Sequence, residues 1–313
     1  MNAQAQALSL SSDLLTGTEW SAAHVQELFR LSAEVKAHPE RYQSALAGRF
    51  LAMIFEKPSL RTRVTFEVGI ASLGGTAIFL DHAETHLGER ESIPDVGRSL
   101  SRWVQGIVAR VFSQEALETL AAYATVPVIN ALSDVYHPCQ TLCDFFTLEE
   151  KFGSARGLKV AYVGDGNNVC HSLMIAGARV GAHVRIASPG GYEPDAAILA
   201  AAQRDAAATQ GTIELFRAPE EAVMGAQAVY TDVWASMGQE HEADARAAVF
   251  APYQVNAELM SQAAPDAVFL HCLPAHRGSE VTDEVMESPR SIVFDEAENR
   301  LHVQKAILLM LLS

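Results

Sequence analysis

Short apolar runs of strand character alternate with helix-type segments along the chain, and this alternation limits the fold class before any single residue is considered. Thr18 reads as the N-cap of a first helix, with Glu19 in its first turn and Trp20, Val25, Leu28, Phe29 and Val35 on one apolar side. Phe50 to Ile54 reads as a buried strand, followed by a polar loop and a helix through Thr65, Phe66, Val68 and Leu73 that Gly74 and Gly75 stop. Strands are predicted at Thr76 to Leu80, Gly106 to Val111 and Val126 to Leu132, with helices over Asp95 to Val104 and Gln114 to Ala122 between them. After a helix over Cys139 to Phe152 and a turn at Gly157, a second series begins. Its strand candidates are Leu158 to Val163, His183 to Ala187, Ile213 to Phe216, Ala228 to Asp232, Ala267 to Cys272 and Ser291 to Phe294, with Ala-rich helices such as Ala196 to Ala208 between several of them.

A strand–helix–strand rhythm of this kind implies parallel strands joined by helical crossovers. The 313 residues are enough for two such domains. The expected fold is therefore α/β: two domains, each a mostly parallel sheet flanked by helices, with the active site in the cleft between them. The domains are placed at residues 1–150 and 151–295 and hinged through a helix, with a terminal helix over 296–313 packing back on the first.

A formal net charge of −15 argues against nucleic-acid binding, since an acidic surface repels a phosphate backbone. Any site for an anionic substrate must then be locally basic, built from convergent Arg and His side chains or a helix N-terminus. The first basic residue is Arg30, so the start of the chain reads as neither a transit peptide nor a secretory signal. No apolar run reaches the roughly 18–20 residues of a membrane span. Four cysteines, Cys139, Cys143, Cys170 and Cys272, form no CxxC pair, and a reduced cytoplasmic protein is expected. His137, Cys139, Cys143 and His171 match zinc spacings poorly, so no metal is expected.

The unusual polar segments cluster after strands, where open parallel sheets bind ligands. Ser59-Leu60-Arg61-Thr62-Arg63 opens a helix after the first strand, with Ser59 as N-cap. Free N–H groups, hydroxyls and the Arg61 fork suit a phosphate, although solvated arginines at a helix start would look the same. Arg110 ends an apolar strand, which calls for a nearby anion: a ligand, or an ion pair with Glu91 or Asp134. His137 and Gln140, in His137-Pro138-Cys139-Gln140, can donate to a carbonyl or amide; a lone His is also often structural. Gly164 to Asn168 lacks the third glycine and the ribose-binding acid of a dinucleotide site, and its Asn side chains suit an amino-acid substrate instead. Asp232 can pair with an ammonium or cap a turn. Cys272 is either an inert buried thiol or, in an electropositive setting, a reactive one.

Together these segments resemble the aspartate/ornithine carbamoyltransferase family over nearly the whole chain. The S-x-R-T-R and H-P-x-Q segments are common to the family. Asp232 to Gly238, His271 to Pro274 and Phe294 to Arg300 resemble its ornithine branch. The resemblance implies that Ser59, Leu60, Arg61, Thr62, Arg110, His137 and Gln140 bind carbamoyl phosphate, with Leu60 standing where the family often has Thr. His86 matches a position that reaches a neighbouring subunit's site, and a homotrimer or an assembly of trimers is implied. Asn168, Asp232, Ser236, Met237, Cys272 and Leu273 match L-ornithine positions. Arg110, His137, Asp232, Cys272 and Arg300 are the implied catalytic group. Citrulline formation without any cofactor is the expected reaction. A carbamoyltransferase for an acylated ornithine, an NAD(P)-dependent dehydrogenase and a catalytically silent binding protein are the rival readings.

Overall fold

The computed structural model describes residues 13–81, 88, 90–235 and 242–313. The chain divides into two compact units, Met1–Leu142 with Asn299–Ser313, and Cys143–Glu298. In the first, strands β1 (Phe50–Phe55), β2 (Thr76–Asp81), β3 (Gly106–Arg110) and β4 (Val128–Leu132) form a parallel sheet in the order β2-β1-β3-β4. Every residue of β3 and β4 is buried, as expected of strands covered on both faces. The helices are α1 (Ala22–Ala37), α2 (Leu60–Ser72), α3 (Ile93–Leu100) and α4 (Gln114–Tyr123). Ala52, Ile54, Ile107, Ala109, Leu117, Leu120 and Val128 belong to one core, against which Ile93, Val96 and Leu100 of α3 pack.

The helix α5 (Pro138–Phe152) carries the chain across the division at Leu142. In the second unit β5 (Lys159–Val163), β6 (His183–Ala187), β7 (Thr212–Phe216), β8 (Ala228–Tyr230) and β9 (Val268–Leu270) are again parallel, in the order β7-β6-β5-β8-β9. Helices α6 (Asn168–Val180), α7 (Ala196–Ala208) and α8 (Ala243–Phe250) belong to this unit, and α9 (Val293–Leu312) leads back into the first. Val163, Val229, Phe250, Phe269, Val281 and Val293 share its core.

Two local expectations are corrected. The first helix is capped by Ser21, not Thr18. Ser21 Oγ accepts the His24 N–H at 3.3 Å and His24 Nδ1 accepts the Ser21 N–H at 3.2 Å, a capping box with His in the place of Glu. Thr18 instead shares a hydroxyl contact with Thr16 at 2.6 Å, in a turn closed by the Glu19 carboxylate on the Thr16 and Gly17 N–H groups. The run Ser291 to Phe294 is not a strand. It makes one bridge, Phe269 with Ser291, and then enters α9 at Val293. Phe294 is 68% exposed, so this apolar stretch does not alternate in and out of a core as a strand would.

Candidate functional site

In a parallel sheet whose order reverses, the loops on either side of the reversal diverge and leave a crevice at the strand ends. In the first unit that point lies between β1 and β3. The loop after β1 runs into α2, whose N-cap Ser59 accepts the Thr62 N–H at 3.3 Å. An oxygen that accepts keeps its own proton to donate, and the first-turn N–H groups lack intrahelical partners, so this end suits an anion. Leu60 is 74% exposed, so its side chain points away and its backbone N–H is what it can offer a ligand. Arg63, the second arginine of the motif, is engaged elsewhere: its guanidinium pairs with Glu67 at 2.9 Å and lies 3.6 Å over the Phe79 ring.

Across the reversal, Arg110 ends β3 fully inside the protein, and His137 and Gln140 are buried where β4 gives way to α5. Asp134, one acid considered as a partner for Arg110, instead accepts the Gln114 N–H at 2.9 Å and holds the start of α4. Arg300, buried on α9, donates from Nη2 to Thr62 Oγ1 at 2.8 Å. Burial, then Arg300, then Arg110 hold His137 well below the ordinary histidine value, so its ring is neutral and has one N–H to give. Two guanidinium groups, a neutral imidazole and a helix start therefore converge in a chain of net charge −15. This is the locally basic setting that an anionic substrate requires.

The second unit reverses between β5 and β8. Asp232, just after β8, is buried, and its two carboxylate oxygens are held from different loops. Asn167 Nδ2 donates to Oδ2 at 2.8 Å, and the Cys272 thiol donates to Oδ1 at 3.1 Å. Asn167 also caps α6, its Oδ1 accepting the Val169 and Cys170 N–H groups. Burial and the Asp232 carboxylate push the Cys272 thiol well above its ordinary value. Among the described residues the electropositive setting of a reactive thiolate is absent from this neighbourhood, and Cys272 acts as a hydrogen-bond donor. Thr231 Oγ1 ties β8 to the Val163 carbonyl at 2.6 Å, which fixes the base of the Asp232 loop.

The structure brings Arg110, His137, Thr62 and Arg300 together in one unit, and Asp232 and Cys272 in the other. Asn168 is the first residue of α6, but the Asn side chain that reaches Asp232 is Asn167, which the sequence reading passed over. Its position as N-cap was the available signal. A buried Arg246 was also missed. It donates from Nη1 to Asp165 and to the Trp234 carbonyl, each at 2.9 Å, joining the two loops behind Asp232. His86, Ser236 and Met237 lie outside the described residues.

The glycines after β5 have a local explanation. A Cβ on Gly166 would lie 2.1 Å from the Pro194 nitrogen, so this position serves a close backbone approach. The residues considered for zinc are engaged locally: Cys139 donates to the Asn130 carbonyl, Cys143 to the Glu296 carbonyl, and His171 Nε2 accepts the Asp195 N–H. Ligand atoms of Asp232, His271 and Cys272 lie within 4.8 Å of one another, yet the thiol donates to Asp232 and both His271 nitrogens have protein partners. Among the described residues no helix is long and apolar enough to cross a membrane.

Comparison with known proteins agrees with this geometry. Residues 12–150 match the family model for the carbamoyl-P binding domain of aspartate/ornithine carbamoyltransferase, and residues 156–311 match its Asp/Orn binding domain. An ornithine carbamoyltransferase of Pyrococcus horikoshii is 53% identical over 293 residues, covering 94% of this chain and 91% of the relative. The solved ornithine carbamoyltransferase from Pyrococcus furiosus superposes with a TM-score of 0.94 at 51% identity, covering 97% of this chain and 98% of that one. The Thermus thermophilus structure of the same name gives 0.88 at 48% identity, over 97% of this chain and all of the other.

Proposed function

The chain belongs to the aspartate/ornithine carbamoyltransferase family, and we propose that within it the reaction is carbamoyl transfer from carbamoyl phosphate to the side-chain amine of L-ornithine, giving L-citrulline and phosphate. Ser59, the Leu60 N–H and Arg61 hold the phosphate, with His86 joining them. Arg110, His137 and Gln140 take the carbamoyl group. A neutral His137 polarises the carbonyl as a hydrogen-bond donor, while the Arg110 charge stabilises the oxyanion that forms. Arg300 holds Thr62 against the same group.

Ornithine must offer its side-chain amine unprotonated, although a free alkyl amine titrates near about 10.4 by analogy with lysine. A water-poor site lowers that value and selects the neutral form. The amine lone pair attacks the carbamoyl carbon, the C–O bond to phosphate breaks, and the phosphate leaves with that electron pair and takes up the proton that the nitrogen gives up. Asp232 receives the α-ammonium and Asn168 the carboxylate, with Ser236 among the ornithine-binding residues. Cys272 and Asp232 orient the amine, and Met237 and Leu273 complete the ornithine-binding set. No organic cofactor or metal enters these steps, because phosphate is already a good leaving group.

The observation that carries ornithine rather than aspartate is the buried Asp232 carboxylate, held by Asn167 and Cys272. A fixed anion rewards an ammonium and repels a substrate with an additional carboxylate. Acylation of the α-amine would remove the charge that Asp232 pairs with. A side-by-side assay with ornithine, N-acetylornithine and aspartate tests this. Citrulline should form at a rate at least about a hundredfold above either alternative product, the discrimination expected when a buried charge loses its partner. Carbamoyl-aspartate or acylcitrulline as the main product would overturn the assignment.

The same reading places the enzyme in the cytoplasm as a homotrimer or an assembly of trimers. Leu60, Val64 and Val68 are 74%, 46% and 47% exposed at i, i+4 and i+8 on α2, an apolar stripe suited to packing against a second copy.

A further inference from the structure

His271 and Glu280 are both 0% exposed, and none of the roles assigned above uses either. His271 Nδ1 accepts the Leu273 N–H at 2.9 Å. A ring nitrogen that accepts carries no proton, so the imidazole proton sits on Nε2, which lies 3.2 Å from Glu280 Oε1. The same carboxylate oxygen accepts the His276 N–H at 2.5 Å, and Glu296 Oε2 accepts the His271 N–H at 3.1 Å. Glu280 thus holds both ends of the segment from His271 to His276. Within it, Leu273 has a φ of +58°, a left-handed conformation that a residue with a β-carbon keeps only when its surroundings enforce it. The neighbouring Cys272 donates its thiol proton to Asp232 at 3.1 Å.

We propose that Glu280 is a positioning residue for carbamoyl transfer: it fixes His271 as the Nε2–H tautomer, which keeps Nδ1 free to accept the Leu273 N–H and so holds Leu273 and Cys272 in the conformation that receives the acceptor amine. Only the last step rests on the function proposed above; the tautomer and the Leu273 conformation stand on the hydrogen bonds alone. A pair whose only work is filling the core would tolerate any substitution that keeps the volume. A tautomer relay discriminates among such substitutions by which atom each one replaces.

The test uses the full-length enzyme and substitutions that separate the two ring nitrogens. His271→Asn sets an amide oxygen near the Nδ1 position and can still accept the Leu273 N–H, without reaching Glu280. His271→Gln reaches Glu280 but leaves that N–H without its acceptor. Glu280→Gln keeps an acceptor oxygen for Nε2–H, and Glu280→Ala removes it. Nitrogen NMR of protein labelled at histidine should show a ring with an unprotonated Nδ1, missing in His271→Asn and shifted in Glu280→Ala. In citrulline assays, kcat should fall about 10–100-fold in His271→Gln and Glu280→Ala, the range seen when a hydrogen-bonded supporting residue is lost. The KM for carbamoyl phosphate should stay within about threefold, and His271→Asn and Glu280→Gln should recover most of the rate. A protonated Nδ1 in the unmodified enzyme, or His271→Asn as impaired as His271→Gln, would overturn the proposal. The NMR result is read whether or not citrulline is formed, so a failure of the proposed reaction is distinguishable from a failure of the relay. Should Glu280→Ala not fold, the His271 pair and Glu280→Gln still decide the outcome.

Discussion

Arg300 donates to Thr62 across 238 residues of sequence, and that one contact shows how a helix-start motif becomes a site. Thr62 alone is a first-turn residue of α2 with a hydroxyl. With Arg300 on it, its oxygen is fixed and its proton is directed outward. Arg300 also repels a proton from His137, second only to burial, and keeps that ring a neutral donor. Lysine keeps the charge but has a single donor atom, and it cannot reproduce the planar fork. Arg300→Lys is therefore expected to lower kcat by up to about 10²–10³, the range for losing a donor aimed at a developing oxyanion, here the Thr62 hydroxyl that Arg300 fixes. Ornithine KM should change little, because the contact belongs to the carbamoyl-phosphate half. Steady-state kinetics with each substrate varied in turn would read this, and a loss confined to ornithine KM would contradict the assignment. At this scale the sequence was informative about residue type and less so about partners. Ser59 as cap and buried Arg110 were both legible, since capping chemistry and a charge at the end of an apolar strand leave local marks. That Arg63 stacks on Phe79, or that Arg246 reaches Asp165, depends on chain crossings that no local pattern records.

The start of α6 combines two tasks in one side chain. Asn167 Oδ1 accepts from the first turn of the helix while Nδ2 donates to Asp232, so the cap of an element is also a support for the site. Asn167→Ala should cost about 1 kcal/mol of stability from the lost cap. It should also raise ornithine KM about tenfold, since a hydrogen bond to a buried charged group contributes roughly 1.5–3 kcal/mol. Asn167→Asp separates the two effects. Aspartate caps a helix as well as asparagine does, but it sets a second carboxylate against Asp232, so stability should fall less than binding. Thermal unfolding and ornithine kinetics on the two variants would show whether cap and site are uncoupled in this way; equal ornithine KM in Asn167→Asp and the unmodified enzyme would rule the coupling out. The elements themselves were largely readable, because parallel strands buried over most of their length appear as apolar runs such as those of β1, β3 and β5. The reading failed at Ser291 to Phe294 for a related reason. A short apolar run has no periodicity, and there the chain makes one bridge to β9 before the helix begins.

At the scale of the whole molecule, charge and burial act together on stability. The chain carries a net charge of −15, and lowering the pH toward the isoelectric region relieves self-repulsion in a general way. Asp165 adds a specific contribution on top of that. Burial raises its carboxyl to about 6, although Arg246 opposes the rise through a 2.9 Å ion pair, and the Asp232 and Glu242 carboxylates reinforce it. The folded value lies above the unfolded one, so the folded protein binds the proton more tightly. The stabilisation is complete below about pH 4 and is lost as the pH rises through about 6. Its full size is on the order of 3 kcal/mol, and Asp165 is 93% shielded from solvent by its 7% exposure, so screening reduces it little. Asp165→Asn removes the titration while keeping an acceptor for Arg246. The denaturant midpoint of this variant should exceed that of the unmodified protein by most at pH 7.5, and the gap should close as the pH falls to 5. Because both proteins share the same remaining charges, the difference between them cancels the general effect of net charge. A gap that stays constant from pH 7.5 to 5 would mean that Asp165 is ionised throughout that range, held by Arg246 more strongly than burial disfavours it.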